Sequence, residues 1–309
     1  MRILIMGGNG FIGSHLVSNL VKNNHQVKIF DRFNHDSFLH TVIKNSEIEI
    51  IKGDFNNPTD INKALINVDV VYHLISSTIP KTSNQNPIFD IETNLVSTVK
   101  LLEAAVIHNV KKIIFISSGG TVYGMPSTTP IHETHETNPL CSYGIVKLAI
   151  EKYLALFSNL HNIDYQIFRV SNPYGEWQPY LKGQGVISTF IHKILTKQTL
   201  EIWGDGSITR DYLYIQDLIN ALISGLDYHG EHKIMNIGSS QGTSLIELIH
   251  ILENVLTEKI DYNIKSSRRS DVSINILDNS IAKRELNWEI KTTLTDGIIA
   301  TKKWLERII

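Results

Sequence analysis

The stretch Gly7-Gly8-Asn9-Gly10-Phe11-Ile12-Gly13 directly follows the apolar run Ile3-Leu4-Ile5-Met6. A run that is apolar at every position is typical of a strand buried on both faces of a parallel sheet. Three glycines at this spacing allow a tight turn, close approach of the backbone to a pyrophosphate, and close packing of the next helix on the strand. The free N–H groups of that helix would bind the phosphate oxygens. The order strand, turn, helix therefore predicts a dinucleotide-binding turn with five cofactor-binding residues, Gly7, Gly10, Phe11, Ile12 and Gly13.

Short β-branched runs alternate with helical patterns through the first half of the chain. The predicted strands are Arg2–Met6, Gln26–Phe30, Ile48–Lys52, Val68–Leu74, Lys112–Ser117 and Tyr165–Val170. The predicted helices are Ile12–Lys22, Thr59–Ile66, Asp90–Ile107 and Tyr143–Ser158. Such alternation predicts βαβ units in a parallel sheet with helices on both faces. We therefore predict an α/β fold with a Rossmann-type, doubly wound parallel sheet.

The pattern changes after about Asn172, where glycine and proline cluster and short strands mix with helices less regularly. We interpret residues 173–309 as a smaller, mixed α/β domain that binds the substrate, and residues 1–172 as the cofactor-binding domain. The apolar run Ile234–Ile237 is expected to return to the main sheet, so the segment near 212–240 would pack back on the first domain.

Composition excludes several classes of protein. The 309 residues are 42% hydrophobic and 19% charged, with 29 basic and 31 acidic side chains and a net charge of −2. This balance argues against a nucleic-acid binder, and no apolar run approaches the roughly 20 residues of a membrane span. The single cysteine, Cys141, excludes an internal disulfide and fits a reducing compartment. Met1–Met6 lacks the features of a signal peptide, so we expect a cytoplasmic globular protein with no membrane or nucleic-acid partner.

An acidic residue ends the second predicted strand. Asp31 lies 18 positions after Gly13, where a carboxylate accepts hydrogen bonds from the adenosine ribose and repels a 2′-phosphate. This position favours NAD over NADP. The neighbouring Arg32 argues in the other direction, because an arginine here can bind a 2′-phosphate.

Tyr143 and Lys147 lie four positions apart at the start of a helical pattern, so their side chains share one face. A lysine ammonium beside a phenol favours the phenolate. Bringing the pKa of a tyrosine from about 10 to neutrality needs about 4 kcal/mol, which an ammonium and a positively charged nicotinamide could supply together. The phenolate would then remove the proton of a sugar hydroxyl while hydride leaves the same carbon.

Together these motifs resemble the extended short-chain dehydrogenase/reductase family, in its NAD-dependent nucleotide-sugar epimerase and dehydratase branch. The segments that carry the resemblance are Gly7–Gly13, Asp54-Phe55, His73-Leu74, Asn94, Ser117–Gly124, Tyr143/Lys147, Asn172-Pro173, Trp203–Asp217, Arg268–Asp271 and Ala282–Trp288. The resemblance covers nearly the whole chain. It implies a Rossmann fold, a bound NAD and a UDP-sugar substrate.

The resemblance also implies roles for individual residues. The cofactor contacts that it adds are Asp54 and Phe55 at the adenine, Leu74, Ile75, Ser76 and Ser77 along the dinucleotide, Asn94, Ser117 and Ser171. The substrate contacts that it implies are Ser118, Gly119, Thr121, Tyr143, Asn172, Trp203, Arg210, Arg269, Asp271 and Asn275. Arginine binds phosphate oxygens through two parallel hydrogen bonds, which suits Arg210 and Arg269 to a nucleoside diphosphate.

One position departs from the family pattern. The family's catalytic serine or threonine corresponds to Gly119, so either Ser118 or Thr121 must supply the hydroxyl that bridges the sugar oxygen and Tyr143. We favour Ser118, because the two glycines that follow it could turn the loop towards the substrate.

The same loop bears on the reaction. The dehydratases and decarboxylases of this branch carry acidic residues after the catalytic hydroxyl, whereas this chain has Gly120 and Thr121, which cannot act as acid and base. We therefore predict 4-epimerisation of UDP-glucose/galactose or UDP-GlcNAc/GalNAc through a 4-keto intermediate. Asn275 falls where hexose-only relatives carry a large tyrosine, so it could leave room for an N-acetyl group. The alternatives are another nucleotide-sugar dehydratase or reductase, a UDP-uronate epimerase, and a non-catalytic dinucleotide sensor.

Two further expectations concern partners and metals. The resemblance implies a homodimer through the helices Asp90–Ile107 and Tyr143–Ser158, where Leu148, Ile150, Leu154 and Leu156 offer apolar side chains. The 13 histidines are scattered, and the His132-Glu133-Thr134-His135 run lacks the helical spacing of a zinc site. No metal site is expected.

Overall fold

The apolar runs of the first half form one parallel sheet. The computed structural model describes residues 1–33, 39, 48–181, 185–266 and 272–309. Its strands are β1 Arg2–Met6, β2 Gln26–Asp31, β3 Glu49–Lys52, β4 Val70–His73, β5 Lys112–Ser118, β6 Asp164–Val170, β7 Asn172–Tyr174, β8 Leu200–Trp203, β9 Thr209–Tyr214, β10 Ile234–Ile237, β11 Gly242–Ser244, β12 Tyr262–Lys265 and β13 Ile274–Asn275. Seven of them form the main sheet in the order β10-β6-β5-β4-β1-β2-β3. All neighbours in it run parallel.

Helices cover both faces of this sheet. They are α1 Phe11–Lys22, α2 Pro58–Leu65, α3 Pro80–Ser83, α4 Pro87–Asp90, α5 Ser97–Ile107, α6 Ser142–His161, α7 Val186–Leu195, α8 Ile215–Ser224, α9 Leu245–Leu256, α10 Ser280–Leu286 and α11 Leu294–Leu305, with a π-helical segment, Ile91–Val96, between α4 and α5. Leu20 of α1 and Leu218 of α8 pack into the core on one face. Leu65 of α2, Leu101 of α5 and Ile150 of α6 pack into the core on the other.

The strand order reverses between β1 and β4, because the chain builds outward from β1 to β3 and then returns to β4. In an open parallel sheet, ligands bind at the carboxyl ends of the strands on either side of such a reversal. Gly7 follows β1 and Leu74 follows β4, so both predicted cofactor segments begin at this point. The predicted fold class is confirmed.

The second half adds two smaller sheets. β9 pairs with β11, β13 and β7, and β12 pairs with β8. Within this half, β10 returns to the main sheet and pairs with β6, and α8 packs on the main core through Leu218, Ile219 and Leu222. The division at 172/173 stays a prediction.

Side-chain burial shows which residues of the apolar stripe on α6, part of which is expected in the core, lie inside. Ile150 and Leu154 are each 2% exposed and belong to the core. Leu148 also packs inward, whereas Leu156 is 46% exposed. The helix predicted over 90–107 is interrupted by the π-helical segment. Among the described residues, no helix has the length and apolar character needed to cross a membrane.

Candidate active site

The glycine-rich turn is built by contacts that a side chain would prevent. Gly7 has φ +90°, a backbone conformation that favours glycine. A Cβ on Gly13 would lie 2.2 Å from the Gly7 carbonyl oxygen. Gly10 is the N-cap of α1 and has no side chain to bond the first helical N–H groups, those of Phe11, Ile12 and Gly13. This N-terminus therefore fits the phosphates of a dinucleotide.

Asp31 lies beside this turn at the end of β2. Its Oδ2 accepts a hydrogen bond of 3.0 Å from the Asn9 N–H, and its Oδ1 accepts one of 2.7 Å from the Arg32 N–H. The Arg32 guanidinium is directed to the Asp54 carboxylate at 2.9 Å. Phe55 is 3% exposed and belongs to the core, so Asp54 is the residue of that pair whose side chain remains accessible.

The segment after β4 passes close to the turn. A Cβ on Gly7 would lie 3.2 Å from the Ile75 nitrogen, and the Leu74 N–H donates to the Met6 carbonyl at 3.0 Å. The Ser77 N–H donates to Asn94 Oδ1 at 2.8 Å, which ties this segment to the π-helical segment. The structure therefore brings the predicted cofactor residues 74–77 and Asn94 together.

Tyr143 and Lys147 are side by side on α6. Lys147 Nζ lies 5.6 Å from the centre of the Tyr143 ring and 4.6 Å from that of Phe115. It donates a 2.8 Å hydrogen bond to the Ile116 carbonyl of β5, which fixes the ammonium under the phenol. The Ser76 hydroxyl donates to the Thr78 carbonyl at 3.0 Å, and the Ser76 side chain lowers the pKa of the Tyr143 phenol.

The surroundings set the protonation of this pair. Burial raises the pKa of Tyr143 above its ordinary value and Cys141 and Asp90 raise it further, whereas the Ser76 side chain lowers it. Burial lowers the pKa of Lys147 to about 8, against the carboxylates of Asp90 and Glu151, which raise it. At neutral pH the lysine is therefore mostly charged, and the phenol needs a further positive charge to ionise.

The loop after β5 explains the departure at Gly119. A Cβ on Gly119 would lie 2.5 Å from Leu277 Cδ1 and 3.2 Å from the Arg169 carbonyl oxygen. A serine at this position would therefore displace its neighbours. Ser118 is partly exposed, whereas Thr121 Oγ1 is buried without a hydrogen-bond partner among the described residues.

Ser117 is turned away from this loop into the interior. Its hydroxyl donates to Glu151 Oε1 at 2.5 Å, and Glu151 forms a buried ion pair with Arg169 at 2.6 Å. The Arg169 guanidinium also lies 4.8 Å from the centre of the Tyr123 ring. The Ser117 side chain is therefore committed to this network, which stabilises the end of β5 where the loop with Ser118 and Thr121 begins.

The predicted substrate residues of the second half do not all lie in one place. Asn172 Nδ2 donates to the Asp211 carbonyl at 3.0 Å, and Asn275 Nδ2 donates to the Gly119 carbonyl at 3.0 Å. Arg210 of β9 lies opposite Asn275 of β13 in the strand register, so its backbone is close to Asn275. Trp203 ends β8, which belongs to the separate two-stranded sheet. Arg269 and Asp271 lie outside the described residues.

Ser171 continues the site from the end of β6. Its N–H donates to the Ile237 carbonyl at 2.9 Å, and its hydroxyl is buried without a partner among the residues that the structure describes. A buried unpaired hydroxyl costs about 1–3 kcal/mol. A ligand at this position would remove that cost, which fits the predicted contact with nicotinamide.

Sequence reasoning gave no role to two buried groups around the pair. Asp90 is fully buried and accepts a 2.7 Å hydrogen bond from the hydroxyl of Ser142. His73 is 1% exposed, and its ring packs against Phe115, which the Lys147 ammonium also contacts. The position of Ser142 immediately before Tyr143 was the available signal, whereas nothing local pointed to Asp90. Within the described ranges, no three His, Cys, Asp or Glu side chains come together as a metal site.

Comparisons with known proteins agree with this geometry. The sequence model of the NAD dependent epimerase/dehydratase family matches residues 3–238. The chain is 33% identical to the UDP-glucose 4-epimerase of Mycolicibacterium smegmatis, over 97% of each chain. The structure resembles the UDP-glucose 4-epimerase of Thermotoga maritima solved with UDP-glucose (TM-score 0.94, 30% identity, 100% and 99% of the chains). It also resembles the UDP-glucuronic acid 4-epimerase of Bacillus cereus solved with UDP-glucuronic acid and NAD (TM-score 0.91, 30% identity, 100% of both chains).

The predicted family, its NAD dependence and the enzyme class are confirmed by these matches, which extend over both halves of the chain. The chain belongs to the NAD dependent epimerase/dehydratase family.

Proposed function

We propose that this protein is a UDP-sugar 4-epimerase that interconverts UDP-glucose and UDP-galactose, or UDP-GlcNAc and UDP-GalNAc. The observation that carries the proposal is the position of Tyr143. Its phenol lies beside the Lys147 ammonium, and the Ser76 side chain of the predicted cofactor segment lowers its pKa. A proton acceptor and a dinucleotide site therefore meet at one point.

Tyr143 acts as the base that removes the proton from the C4 hydroxyl of the sugar and later returns it. When bound, NAD+ supplies a hydride acceptor and a positive charge at this position. Lys147 adds its own charge, which favours the phenolate. The Ile116 carbonyl fixes the ammonium of Lys147 at 2.8 Å, so little reorganisation is needed when the phenolate forms.

Ser118 supplies the second hydroxyl, which bridges the sugar oxygen and Tyr143. Both Ser118 and Thr121 are partly exposed. We favour Ser118 because the two glycines that follow it could turn its loop towards the substrate, and Thr121 is the second choice. Asn275 fixes the intervening loop through its bond to the Gly119 carbonyl. Whether Asn275 also makes room for an N-acetyl group stays a prediction.

Simple epimerisation is favoured over elimination by the residues at the loop. Gly120 and Thr121 offer no acid or base next to the proposed hydroxyl. Because epimerisation needs one base and a retained hydride, it fits this set of groups better than dehydration does. A UDP-uronate epimerase and a nucleotide-sugar reductase use the same pair and are separated from the proposal by the assay below.

The nucleotide end of the substrate is assigned to the second half of the chain. We propose that Asn172, Arg210 and Arg269 contact the sugar and the diphosphate, and that Trp203 and Asp271 lie further along the UDP. The register of Arg210 opposite Asn275 supports its position near the sugar-binding loop.

The partner expected in solution is a second copy of this chain. Ile91 of the π-helical segment is 42% exposed, and Ile145, Leu156 and Leu160 of α6 are 56%, 46% and 64% exposed. The π-helical segment and α6 lie against each other, so these exposed apolar side chains belong to neighbouring elements. Exposed apolar side chains on neighbouring helices support a homodimer.

The test is proton NMR of the purified protein with NAD+ and each of UDP-glucose, UDP-galactose, UDP-GlcNAc, UDP-GalNAc and UDP-glucuronate, with a parallel set of reactions that contains NADH. We expect interconversion of a C4 pair without accumulation of NADH. Tyr143→Phe should lower the rate at least about 100-fold, because general base catalysis contributes about that much. Tyr153→Phe removes the same hydroxyl from the same helix and should leave the rate unchanged.

Four results would contradict the proposal. Loss of water from the sugar would indicate a dehydratase, and stoichiometric consumption of NADH would indicate a reductase. Turnover of UDP-glucuronate alone would indicate a uronate epimerase. An unchanged rate in Tyr143→Phe would remove the assignment of the base and favour a dinucleotide sensor.

A further inference from the structure

Asp90 is a fully buried carboxylate at the junction of α4 and the π-helical segment. Its Oδ1 accepts hydrogen bonds from the Thr78 hydroxyl at 2.6 Å and from Asn94 Nδ2 at 2.9 Å. Its Oδ2 accepts one from the Ser142 hydroxyl at 2.7 Å. A buried carboxylate needs such donors, because an uncompensated buried charge is strongly unfavourable.

The three donors come from three different parts of the site. Thr78 ends the segment that follows β4, Asn94 bonds the Ser77 N–H of the same segment at 2.8 Å, and Ser142 is the first residue of α6, directly before Tyr143. One side chain therefore joins the cofactor segment to the helix that carries the proposed base.

The π-helical segment makes this arrangement possible. It begins one residue after Asp90 and contains Asn94, whose amide also bonds the Asp90 carbonyl at 3.3 Å. Single π-turns inside α-helices are costly and occur frequently at functional sites. Here the turn brings Asn94 against the carboxylate and the Ser77 N–H at once.

We propose that Asp90 is a positioning residue that fixes Tyr143 and the segment 76–78 relative to each other and keeps a negative charge beside the proposed base. This inference rests on the proposed function for the role of Tyr143, but not for the contacts themselves. It adds to the site a carboxylate that does not touch the reacting atoms.

The charge of Asp90 acts on its neighbours in a defined direction. It raises the pKa of Lys147, together with Glu151, and the pKa of Tyr143, together with Cys141. His73, the other titratable group facing Lys147, has its pKa lowered by burial and by that ammonium and is neutral. Removing the charge of Asp90 should therefore lower the pKa of Tyr143 and the pKa of Lys147.

The experiment compares Asp90→Asn, Asp90→Ala and Glu92→Gln in the NAD+ complex. Asparagine can accept from Thr78 and Asn94 and donate to Ser142, so it keeps the contacts and removes the charge. Alanine removes both. Glu92 is exposed on the same π-helical segment, which makes Glu92→Gln the matched control. Binding of NAD+ is measured by calorimetry, and ionisation of Tyr143 by the tyrosinate absorbance, taken as a difference from the same protein carrying Tyr143→Phe.

We expect Asp90→Asn to move the ionisation of Tyr143 and the pH profile of the rate to lower pH, with NAD+ affinity little changed. Asp90→Ala should weaken NAD+ binding about tenfold or more, because Thr78 of the segment 76–78 loses its bond to the carboxylate, and Asn94, which holds Ser77, loses its bond to it as well. Glu92→Gln should match the wild type in both measurements. Coincident ionisation curves for wild type and Asp90→Asn, or undiminished NAD+ binding in a folded Asp90→Ala, would overturn the proposal.

Neither the tyrosinate absorbance nor the calorimetry of NAD+ binding needs a sugar substrate. If no UDP-sugar is epimerised by the wild type, the proposed function fails, and the ionisation and binding curves still decide the role of Asp90.

Discussion

At the scale of single residues, His73 shows how the interior of this fold treats an ionisable group. Its Nε2 is 2.8 Å from the Thr98 hydroxyl, and its ring packs against Phe55 and Phe115 with centroids at 5.2 Å and 5.3 Å. Burial, and then the Lys147 charge, lower the pKa of His73 to about 3. His73 is therefore neutral throughout the pH range in which Lys147 must be charged, so it adds no second positive charge beside the ammonium.

This neutral histidine predicts a pH dependence of stability. In the unfolded chain a histidine titrates near 6.5, so between about pH 6.5 and pH 3 the unfolded state binds a proton that the native state does not. Stability is then present above pH 6.5 and lost as pH falls. From pH 7 to pH 5 the His73 contribution is about 2 kcal/mol of unfolding free energy.

Urea unfolding at the two pH values checks this. His73→Gln should lose about 2 kcal/mol less than the wild type between pH 7 and pH 5, whatever its stability at pH 7. His250 is 67% exposed, so His250→Gln should keep the wild-type loss. Equal losses in wild type and His73→Gln would show that the native state accepts the proton.

At the scale of elements, the junction between β1 and α1 depends on the absence of a side chain at Gly13. Alanine there would place a Cβ 2.2 Å from the Gly7 carbonyl oxygen and 2.7 Å from Gly8 Cα, both backbone atoms that cannot rotate away. The helix must shift away from the turn, and overpacking of this kind costs about 1–3 kcal/mol.

Gly13→Ala should therefore lower the unfolding free energy by about that amount and weaken NAD+ binding about tenfold or more, because the helix N–H groups move off the phosphates. Calorimetry with NAD+ and urea unfolding measure the two effects. Gly120→Ala is the control. Its new Cβ would lie 3.8 Å from Ser118 Oγ, an ordinary contact, so this variant should keep the wild-type unfolding free energy and NAD+ affinity. Wild-type NAD+ affinity in Gly13→Ala would contradict the assignment of the turn.

At the scale of the whole molecule, the exposed apolar surface of the π-helical segment and α6 predicts self-association. Leu156 is 46% exposed near the middle of that surface, and Ile264 on β12 is 64% exposed away from it. If the surface is a dimer interface, Leu156→Glu buries an unpaired charge there and raises the dimer Kd at least about a hundredfold.

Sedimentation velocity distinguishes a dimer from a monomer. We expect dimers for the wild type and for Ile264→Glu, and monomers for Leu156→Glu at the same concentration. A monomeric wild type, or a Leu156→Glu variant that stays dimeric, would place the interface elsewhere or remove it.

What the sequence determined by itself is local. The glycine turn, the buried strands on both sides of it and the Tyr143–Lys147 pair were predictable, because each depends on residues within a few positions and on the periods of strand and helix. The family resemblance extended this to NAD and a nucleotide sugar. The same locality made the helix over 90–107 look uninterrupted, since one π-turn does not change the apolar pattern.

The tertiary structure alone decided which polar groups meet. Asp90 and Ser142 are separated by 52 positions, and Gly119 and Asn275 by 156. No periodic pattern marks such pairs, because each is set by how whole elements pack and by the cost of leaving a buried polar group unpaired. The tertiary structure also decided which apolar residues of α6 lie in the core, namely Ile150 and Leu154. The sequence thus specified the chemistry of this site, and long-range packing specified the carboxylate that orients it.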